Sequence, residues 1–392
     1  MMTAFKSWVD KNLKGDPIIW GIVILLSIIS ILVVYSATGS LAYKKTGGNT
    51  EKYLFDHSFY VFSALVLMWV AHKIPYKFYG LIGKFLLLVS VPLLLFTYFF
   101  GSTVNDANRW ITIPFINKAF QPSDIAKMAL IATLASLLAQ RQRNIGDFKK
   151  SFLPMILVIG FICGLIGLAN MSTALLLFAT CLLLMFIGRV PLKQIAALLL
   201  IGMLFLTGAV FLGQRGGTFF NRIEAFVSGD EIPFQAEQSY IAIATGGITG
   251  KGPGNSEQRN TLPHPYSDFI YAIIIEEYGM IGGMGVLFLY LALLYRGMRI
   301  VASSTKPFGG LLSAGLSFAL VLQAMVNMAV AVGLGPITGL PLPLLSMGGT
   351  SLFLTGFSIG IILSVSRGDH VDEVEGASDS NKPRKVFQTA QA

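Results

Sequence analysis

Long apolar runs, separated by shorter polar stretches, dominate the chain from residue 17 to residue 366. Each run is close to the ~20 residues that cross a bilayer, and the runs are continuous rather than alternating, which favours helices over the strands of a membrane barrel. We predict about ten membrane-spanning helices and an all-α polytopic fold. The predicted spans are 17–38, 55–74, 79–100, 123–140, 152–168, 171–188, 194–213, 268–295, 309–333 and 346–366.

The polar stretches divide the chain into three parts. Residues 1–16 precede the first span, 17–367 form one membrane domain, and the tail 368–392 is polar, so we predict it to be disordered. The connection 214–267, between spans seven and eight, is far longer than a typical connection. Aromatic and apolar residues punctuate it, and we expect this large loop to fold against the membrane.

Composition and charge support a membrane protein and indicate its orientation. The 392 residues are 54% hydrophobic and 12% charged, with mean hydropathy +0.68, whereas soluble domains carry about 25% charge. The formal net charge is +9, but Lys and Arg gather in alternate short loops, as the positive-inside rule describes. This distribution explains the charge without nucleic acid, and it predicts cytoplasmic termini with 214–267 outside the cytoplasm.

Cysteine and histidine give no sign of a metal site or a disulfide framework. Cys163 and Cys181 lie in apolar runs and are read as buried small hydrophobes. The four histidines are scattered without the spacing of zinc ligands. The sequence therefore contains no ligand set that demands a metal.

Three acids accompany the start of the eighth predicted span, in LPHPYSDFIYAIIIEEYG at 262–279. Ser267 is a good N-cap and would put Asp268 in the first helical turn, where a plain capping acid is one interpretation. Glu276 would lie about 12 Å deeper, at a depth where ionisable groups are functional or paired. Glu277 falls about half a turn round the helix from Asp268. At least one glutamate is therefore predicted to be a structural partner.

Four basic residues are candidates for binding an anion. Lys127 follows Asp124 at i,i+3, which indicates either a local ion pair or a lysine that faces a cavity. Arg109 lies in VNDANRWITI and Arg222 in the long loop. Lys251 lies in the glycine-rich stretch GGITGKGPGNS, which lacks the strand–loop–helix context of a phosphate-binding loop.

The stretch GPITGLPLPLLSMGGTS at 335–351 interrupts a helix with prolines and small residues. Broken backbone at membrane depth is tolerated where it lines a cavity or is buried in protein. Transporters also use such breaks, so this motif does not separate a transporter from an enzyme.

Together these stretches resemble the SEDS family, the bacterial membrane proteins of cell shape, division and sporulation that include FtsW, RodA and SpoVE. The resemblance covers about 17–367. It rests on NDANRWI, QPSDIAKMAL, FQAEQSYIAIATGGITGKGPGNS, LPHPYSDFIYAIIIEEYG and GPITGLPLPLLSMGGTS. The compact GPGNS turn is more similar to division proteins of the FtsW type than to RodA.

The resemblance implies polymerisation of lipid II into peptidoglycan glycan strands at the outer face of the bacterial cytoplasmic membrane. The family's essential acid matches Asp268, a candidate general base for a sugar hydroxyl. Candidates for holding the pyrophosphate are Lys127, Arg109, Arg222 and Lys251, with a divalent metal as an option. Gln235, Gln238 and Ser346 match family positions that would bind sugar or phosphate. Asp124, Glu276 and Glu277 are expected to be structural or cavity partners.

The implied partners are lipid II, a monofunctional class B penicillin-binding transpeptidase and other division proteins. Two alternatives stay open: a lipid II flippase or other transporter, which needs access from both faces, and a scaffold, which should tolerate loss of Asp268. The chain departs from the family pattern at four positions. His264 replaces a glutamate, Tyr266 a histidine, Met347 a tyrosine and Asp124 a glutamate, which leaves the roles of positions 264 and 266 open.

Overall fold

The structure, a computed structural model, describes residues 12–39, 41, 49–104, 107–113, 118–212, 216–228 and 232–380. Twelve α-helices lie within these ranges. They are α1 (Pro17–Ala37), α2 (Thr50–Lys73), α3 (Tyr79–Phe100), α4 (Pro122–Gln140), α5 (Leu153–Ala169), α6 (Met171–Ile187), α7 (Leu192–Leu212), α8 (Gly216–Ser228), α9 (Phe234–Gly246), α10 (Ile270–Ser303), α11 (Pro307–Ala331) and α12 (Thr350–Ser380).

The predicted multi-pass architecture is confirmed. Among the described residues, eight helices are long and apolar enough to cross a membrane: α1 to α5 and α10 to α12. Two further apolar segments, α6 and the first part of α7, are shorter. The second helix begins at Thr50 rather than 55 because Asn49 caps it, accepting a hydrogen bond from Lys52 N at 3.1 Å.

A small antiparallel sheet interrupts the otherwise helical fold between α3 and α4. Its strands are β1 (Ser102–Val104), β2 (Ala107–Ile113) and β3 (Lys118–Phe120), with β2 in the centre. Thr112 of β2 lies opposite Ala119 of β3. The helical prediction missed this sheet, because the alternation in NRWITI has the period of a strand and covers only a few residues.

The long predicted loop, 214–267, contains two helices, α8 and α9. In α9, Ser239 Oγ donates a hydrogen bond of 2.8 Å to Ala331 O at the end of α11. Apolar side chains of α8 are exposed, including Phe226 and Val227. That the segment folds against the membrane stays a prediction.

The C-terminal helix extends further than predicted. Helix α12 continues to Ser380, past position 368 where disorder was expected, because no proline or tight turn ends it there. Residues 1–11 and 381–392 lie outside the described part of the structure. Within the membrane domain, α12 packs closely on α2. A Cβ added at Gly356 or Gly360 would lie 2.4 Å from a carbonyl oxygen of α2, the close approach that a small-xxx-small motif permits.

Helix α10 is broken at Gly279, whose φ of 69° and ψ of −174° are not helical. The glycine-rich stretch 246–252 lies against this break and bonds to both sides of it. The bonds run from Met280 N to Gly247 O (2.9 Å), from Ile281 N to Ile248 O (3.3 Å), from Lys251 N to Glu276 O (2.9 Å) and from Gly252 N to Glu277 O (2.9 Å). The break is therefore a built feature whose backbone groups are satisfied.

Candidate active site

One cavity of about 680 Å³ lies among α4, α6, α11 and α12, at the end of the bundle that carries the sheet. We call this the loop end. Its lining combines polar groups near the loops with apolar side chains deeper between the helices. Five of the predicted site residues line it: Asp124, Lys127, Arg222, Gln235 and Asp268.

Asp268 precedes the helix it was expected to start. Helix α10 begins at Ile270, and no side chain caps it, so the predicted N-cap role of Ser267 is wrong. Ser267 Oγ instead donates to Asp268 Oδ1 at 2.9 Å, and Asn327 Nδ2 donates to Asp268 O at 2.8 Å. A Cβ added at Gly339, where φ is +66°, would lie 3.6 Å from Asp268 Oδ2. Ser267 thus holds the carboxylate and Asn327 holds the backbone of Asp268, whose side chain lines the cavity and is partly exposed.

Two cations share the cavity with Asp268. Lys127 Nζ lies 2.8 Å from Asp124 Oδ1 and 3.4 Å from Gln323 Oε1. Lys127 therefore forms the predicted local ion pair and also lines the cavity, and its binding of an anion stays a prediction. Arg222 Nη1 donates to Ile337 O at 3.0 Å. This bond joins α8 to residues 335–349, the non-helical stretch between α11 and α12 that we call the broken segment.

Segment 335–349, which contains no helix, is held through its carbonyl groups. Side chains from several helices donate to five of them. The pairs are Arg222 with Ile337 O (3.0 Å), Asn327 with Leu340 O (2.7 Å), Gln323 with Pro341 O (2.8 Å), Tyr290 with Pro343 O and Ser30 with Leu345 O (3.1 Å). This pattern supplies the hydrogen bonds that a broken helix loses inside a membrane.

Ser346 does not reach the cavity. Its side chain is buried, with Oγ donating to Ser267 O at 2.6 Å and accepting from Leu342 N at 2.8 Å. The next residue, Met347, donates its N–H to Tyr266 O at 2.8 Å. Ser346 therefore ties the broken segment to the residue that precedes Asp268.

Glu276 accepts hydrogen bonds on a buried carboxylate that does not line the cavity. Lys251 Nζ donates to its Oε1 at 2.9 Å, Ser256 Oγ donates to its Oε2 at 2.5 Å, and the backbone of 257–258 adds further donors. The bond to this carboxylate raises the pKa of the Lys251 ammonium. Lys251, a candidate for substrate binding in the sequence, is thus engaged outside the cavity.

Glu277 faces α1 rather than Asp268. Ser36 Oγ donates to its Oε1, and Arg259 Nη1 donates to Ser36 Oγ and to Ser36 O, each at 3.2 Å. Gln238, on α9, is absent from the cavity lining. The side chain of Arg109 lies outside the described part of the structure.

His264 and Tyr266 line the cavity beside Asp268. His264 Nδ1 lies 3.4 Å from Tyr266 OH, and the two rings meet edge to face. Burial raises the pKa of the Tyr266 phenol, and electrostatic repulsion within the site, including that from the Asp268 carboxylate, raises it further. Tyr266 therefore presents a neutral hydroxyl to the cavity at ordinary pH.

Sequence reasoning missed two amides that organise the site. Gln323 and Asn327 lie one turn apart on α11 and bind the broken segment, and Asn327 also holds Asp268 O. Their signal was present, since polar amides at i,i+4 in an apolar span commonly bond to neighbouring segments. Within the described ranges, no group of three or more His, Cys, Asp or Glu residues has the arrangement of a metal site.

Buried apolar side chains continue beyond the cavity lining on the same helices. Examples that are at most 1% exposed are Leu134 and Leu138 of α4, Leu184 of α6, Leu312 of α11 and Ile362 of α12. These side chains belong to one buried hydrophobic core cluster.

These features define a class: a multi-pass helical membrane protein whose polar cavity is built on a broken segment between two spans. The family model for the FtsW, RodA and SpoVE proteins, described as cell cycle proteins, matches residues 16–370. The chain belongs to this family.

Relatives match over nearly the whole chain. It is 34% identical to a probable peptidoglycan glycosyltransferase FtsW of Geobacter sp. (strain M18), over 91% of this chain and 98% of the relative. It is 32% identical to stage V sporulation protein E of Bacillus subtilis (strain 168), over the same shares.

Two solved structures have a similar fold, each over 91% of this chain and 98% of the other. One belongs to work on the structural coordination of polymerization and crosslinking by a peptidoglycan synthase complex, with TM-score 0.70 and 25% identity. The other is the rod shape determining protein RodA of Thermus thermophilus, with TM-score 0.64 and 24% identity.

Proposed function

We propose that this protein is a peptidoglycan glycosyltransferase that polymerises lipid II into glycan strands during septal cell-wall synthesis. The observation that carries the proposal is the cavity in which the Asp268 carboxylate faces the same space as Lys127 and Arg222. A base and fixed cations in one cavity suit the transfer of a sugar from a pyrophosphate. The relatives named as probable peptidoglycan glycosyltransferases support the same reaction.

In the proposed step, Asp268 takes the proton of the acceptor sugar hydroxyl. The hydroxyl oxygen bonds to the anomeric carbon of the donor sugar, and the bond from that carbon to the pyrophosphate breaks. The lipid pyrophosphate leaves with the electron pair, and Lys127 and Arg222 stabilise its charge. A divalent metal bound to the pyrophosphate would add to this stabilisation. The bilayer accommodates the lipid tail.

The names of the relatives favour a polymerase over a flippase. A transporter needs a path to both faces, whereas a polymerase needs one cavity open to its substrate. Leu138, Leu184 and Leu312, on three helices that line the cavity, are fully buried, but a transporter open to one face has the same arrangement. The transporter therefore stays the second candidate.

The proposal includes a membrane orientation and partners. Each short connection at the end opposite the cavity contains Lys or Arg, which supports cytoplasmic termini and an extracytoplasmic cavity in the bacterial cytoplasmic membrane. The similar structure from a synthase complex supports a transpeptidase partner, which we propose to be a class B penicillin-binding protein. Other division proteins are further proposed partners.

The test uses the purified full-length protein in liposomes that contain fluorescent lipid II. Two readouts separate the candidate functions: glycan strands on a gel, and movement of lipid II between leaflets. We expect strands without movement. Movement without strands would replace the polymerase with a flippase, and neither activity, with or without an added class B transpeptidase, would indicate a scaffold. Repeating the assay in EDTA tests the divalent metal.

Replacing Lys127 with methionine should lower kcat for strand synthesis about tenfold. One donor in a closed site is worth about 10²–10³-fold, but this cavity is open to water and also contains Arg222, so the expected loss is smaller. Steady-state polymerisation rates measure it. Lys193→Met, at an exposed lysine outside the cavity, is the matched control. Equal rates for the two variants would exclude Lys127 from stabilising the leaving group.

A further inference from the structure

His57 is a buried histidine that the proposed reaction does not use. It lies on α2, 1% exposed, with Nε2 2.8 Å from Ser30 Oγ on α1. Ser30 Oγ donates in turn to Leu345 O at 3.1 Å. These contacts form a chain of hydrogen bonds from α2 through α1 to the broken segment 335–349.

The direction of this chain follows from the hydroxyl group. Ser30 has a single O–H group, and this group donates to Leu345 O. The Ser30 oxygen therefore accepts a hydrogen bond from His57 Nε2–H. His57 is therefore protonated on Nε2. Its Nδ1 has no hydrogen-bond partner among the described residues. His57 therefore acts as a hydrogen-bond donor to Ser30.

Leu345 lies where the broken segment meets Asp268. The residue before it, Leu344, has a φ of +66°, which is rare and strained for a side chain of this size. The residue after it, Ser346, donates to Ser267 O at 2.6 Å, and Met347 N donates to Tyr266 O at 2.8 Å. A shift of Leu345 O would therefore move the two bonds that hold Tyr266 and Ser267, the residues before Asp268.

We propose that His57 is a positioning residue for the Asp268 site, acting through Ser30 on the carbonyl of Leu345. The inference rests on the proposed function only for the catalytic consequence, since the hydrogen-bond chain exists without it. A strained turn persists only when its surroundings over-determine it. Here Tyr290 bonds to Pro343 O on one side of Leu344, and Ser30 bonds to Leu345 O on the other.

The test compares variants that keep or remove the donor atom. In His57→Gln the amide nitrogen can reach the position of Nε2, whereas in His57→Asn it stops near Nδ1. Ser30→Ala removes the next link. His72→Asn is the matched control, because His72 is equally buried on the same helix and bonds through Nδ1 to Trp69 O at 2.6 Å.

Hydrogen exchange and kinetics give two independent readouts. In His57→Asn and Ser30→Ala, we expect exchange of the amides at 342–347 to rise about tenfold or more, with other segments unchanged. We expect kcat for strand synthesis to fall about tenfold with KM within about twofold, since a small misplacement of a catalytic group weakens the reactive geometry. His57→Gln should restore both readouts, and His72→Asn should leave both at the wild-type values.

Two results would overturn the inference. Wild-type exchange at 342–347 in His57→Asn would show that the chain does not hold the segment. Increased exchange throughout α1, α2 and α12 would show a general packing role instead. The exchange readout needs no substrate, so it tests whether the hydrogen-bond chain holds the segment even if the wild-type protein makes no glycan. Absence of glycan from the wild-type protein would count against the proposed function alone.

Discussion

Replacing Asp268 with asparagine should reduce strand synthesis by about 10²–10⁴-fold, the contribution typical of a positioned general base. Asparagine has nearly the same shape and can still accept from Ser267 Oγ through its Oδ1. It cannot take the proton of the acceptor hydroxyl. The loss should therefore appear in kcat, with little change in lipid II binding or in folding.

The measurement is strand synthesis from fluorescent lipid II by each variant in liposomes. Asp147→Asn is the matched control, because Asp147 caps the helical turn before α5 by accepting from Lys150 N at 3.0 Å, a role that asparagine also fills. Asp268→Glu keeps the base and moves it by about one bond length, so partial activity is expected. Wild-type rates from Asp268→Asn would remove Asp268 from the chemistry and favour the scaffold.

The spans were predictable because hydrophobic length is a local property of the sequence. Helix α1 ends within one residue of its prediction. The surroundings of Asp268 were not predictable, because the residues that bond to Asp268 and Ser267 come from distant parts of the chain. Asn327 lies 59 residues away, and Ser346 bonds to Ser267 across 79. The N-cap rule failed at Ser267 because its hydroxyl bonds to a neighbouring side chain rather than to helical N–H groups.

Lys251 illustrates the same limit for charges. A lysine among glycines is typical of an anion-binding turn, and local sequence contains no competing signal. The structure pairs it with Glu276, 25 residues later, because the break in α10 lets the turn approach the helix. Glu276 and Glu277 are buried, but their partners depend on the bend in α10 at Gly279, which the hydrophobic periodicity of the sequence does not show.

That bend leads to the largest expected effect on stability. Gly279→Ala should lower the free energy of unfolding by about 4 kcal/mol or more. The backbone at Gly279 adopts a conformation that is essentially restricted to glycine, which alone costs about 1–3 kcal/mol for another residue. An added Cβ would also lie 2.1 Å from Ile248 O. The collision is with backbone, so it should push stretch 246–252 away from α10 and expose Glu276.

Unfolding of the purified variants in detergent, followed by heat or by SDS titration, measures this loss. Gly285→Ala is the matched control, since Gly285 lies in the same helix with nothing within 4 Å of an added Cβ. The stability of this variant should be unchanged or slightly higher.

Gly250→Ala disrupts the same contact from the side of stretch 246–252. At Gly250 φ is +81°, and an added Cβ would lie 2.2 Å from Glu277 O. Because either substitution alone should undock the stretch, the double variant should lose much less than the sum of the two. Additive losses, or a Gly279→Ala protein as stable as Gly285→Ala, would mean that the stretch does not dock on the break, and that Lys251 is not held on Glu276 by this contact.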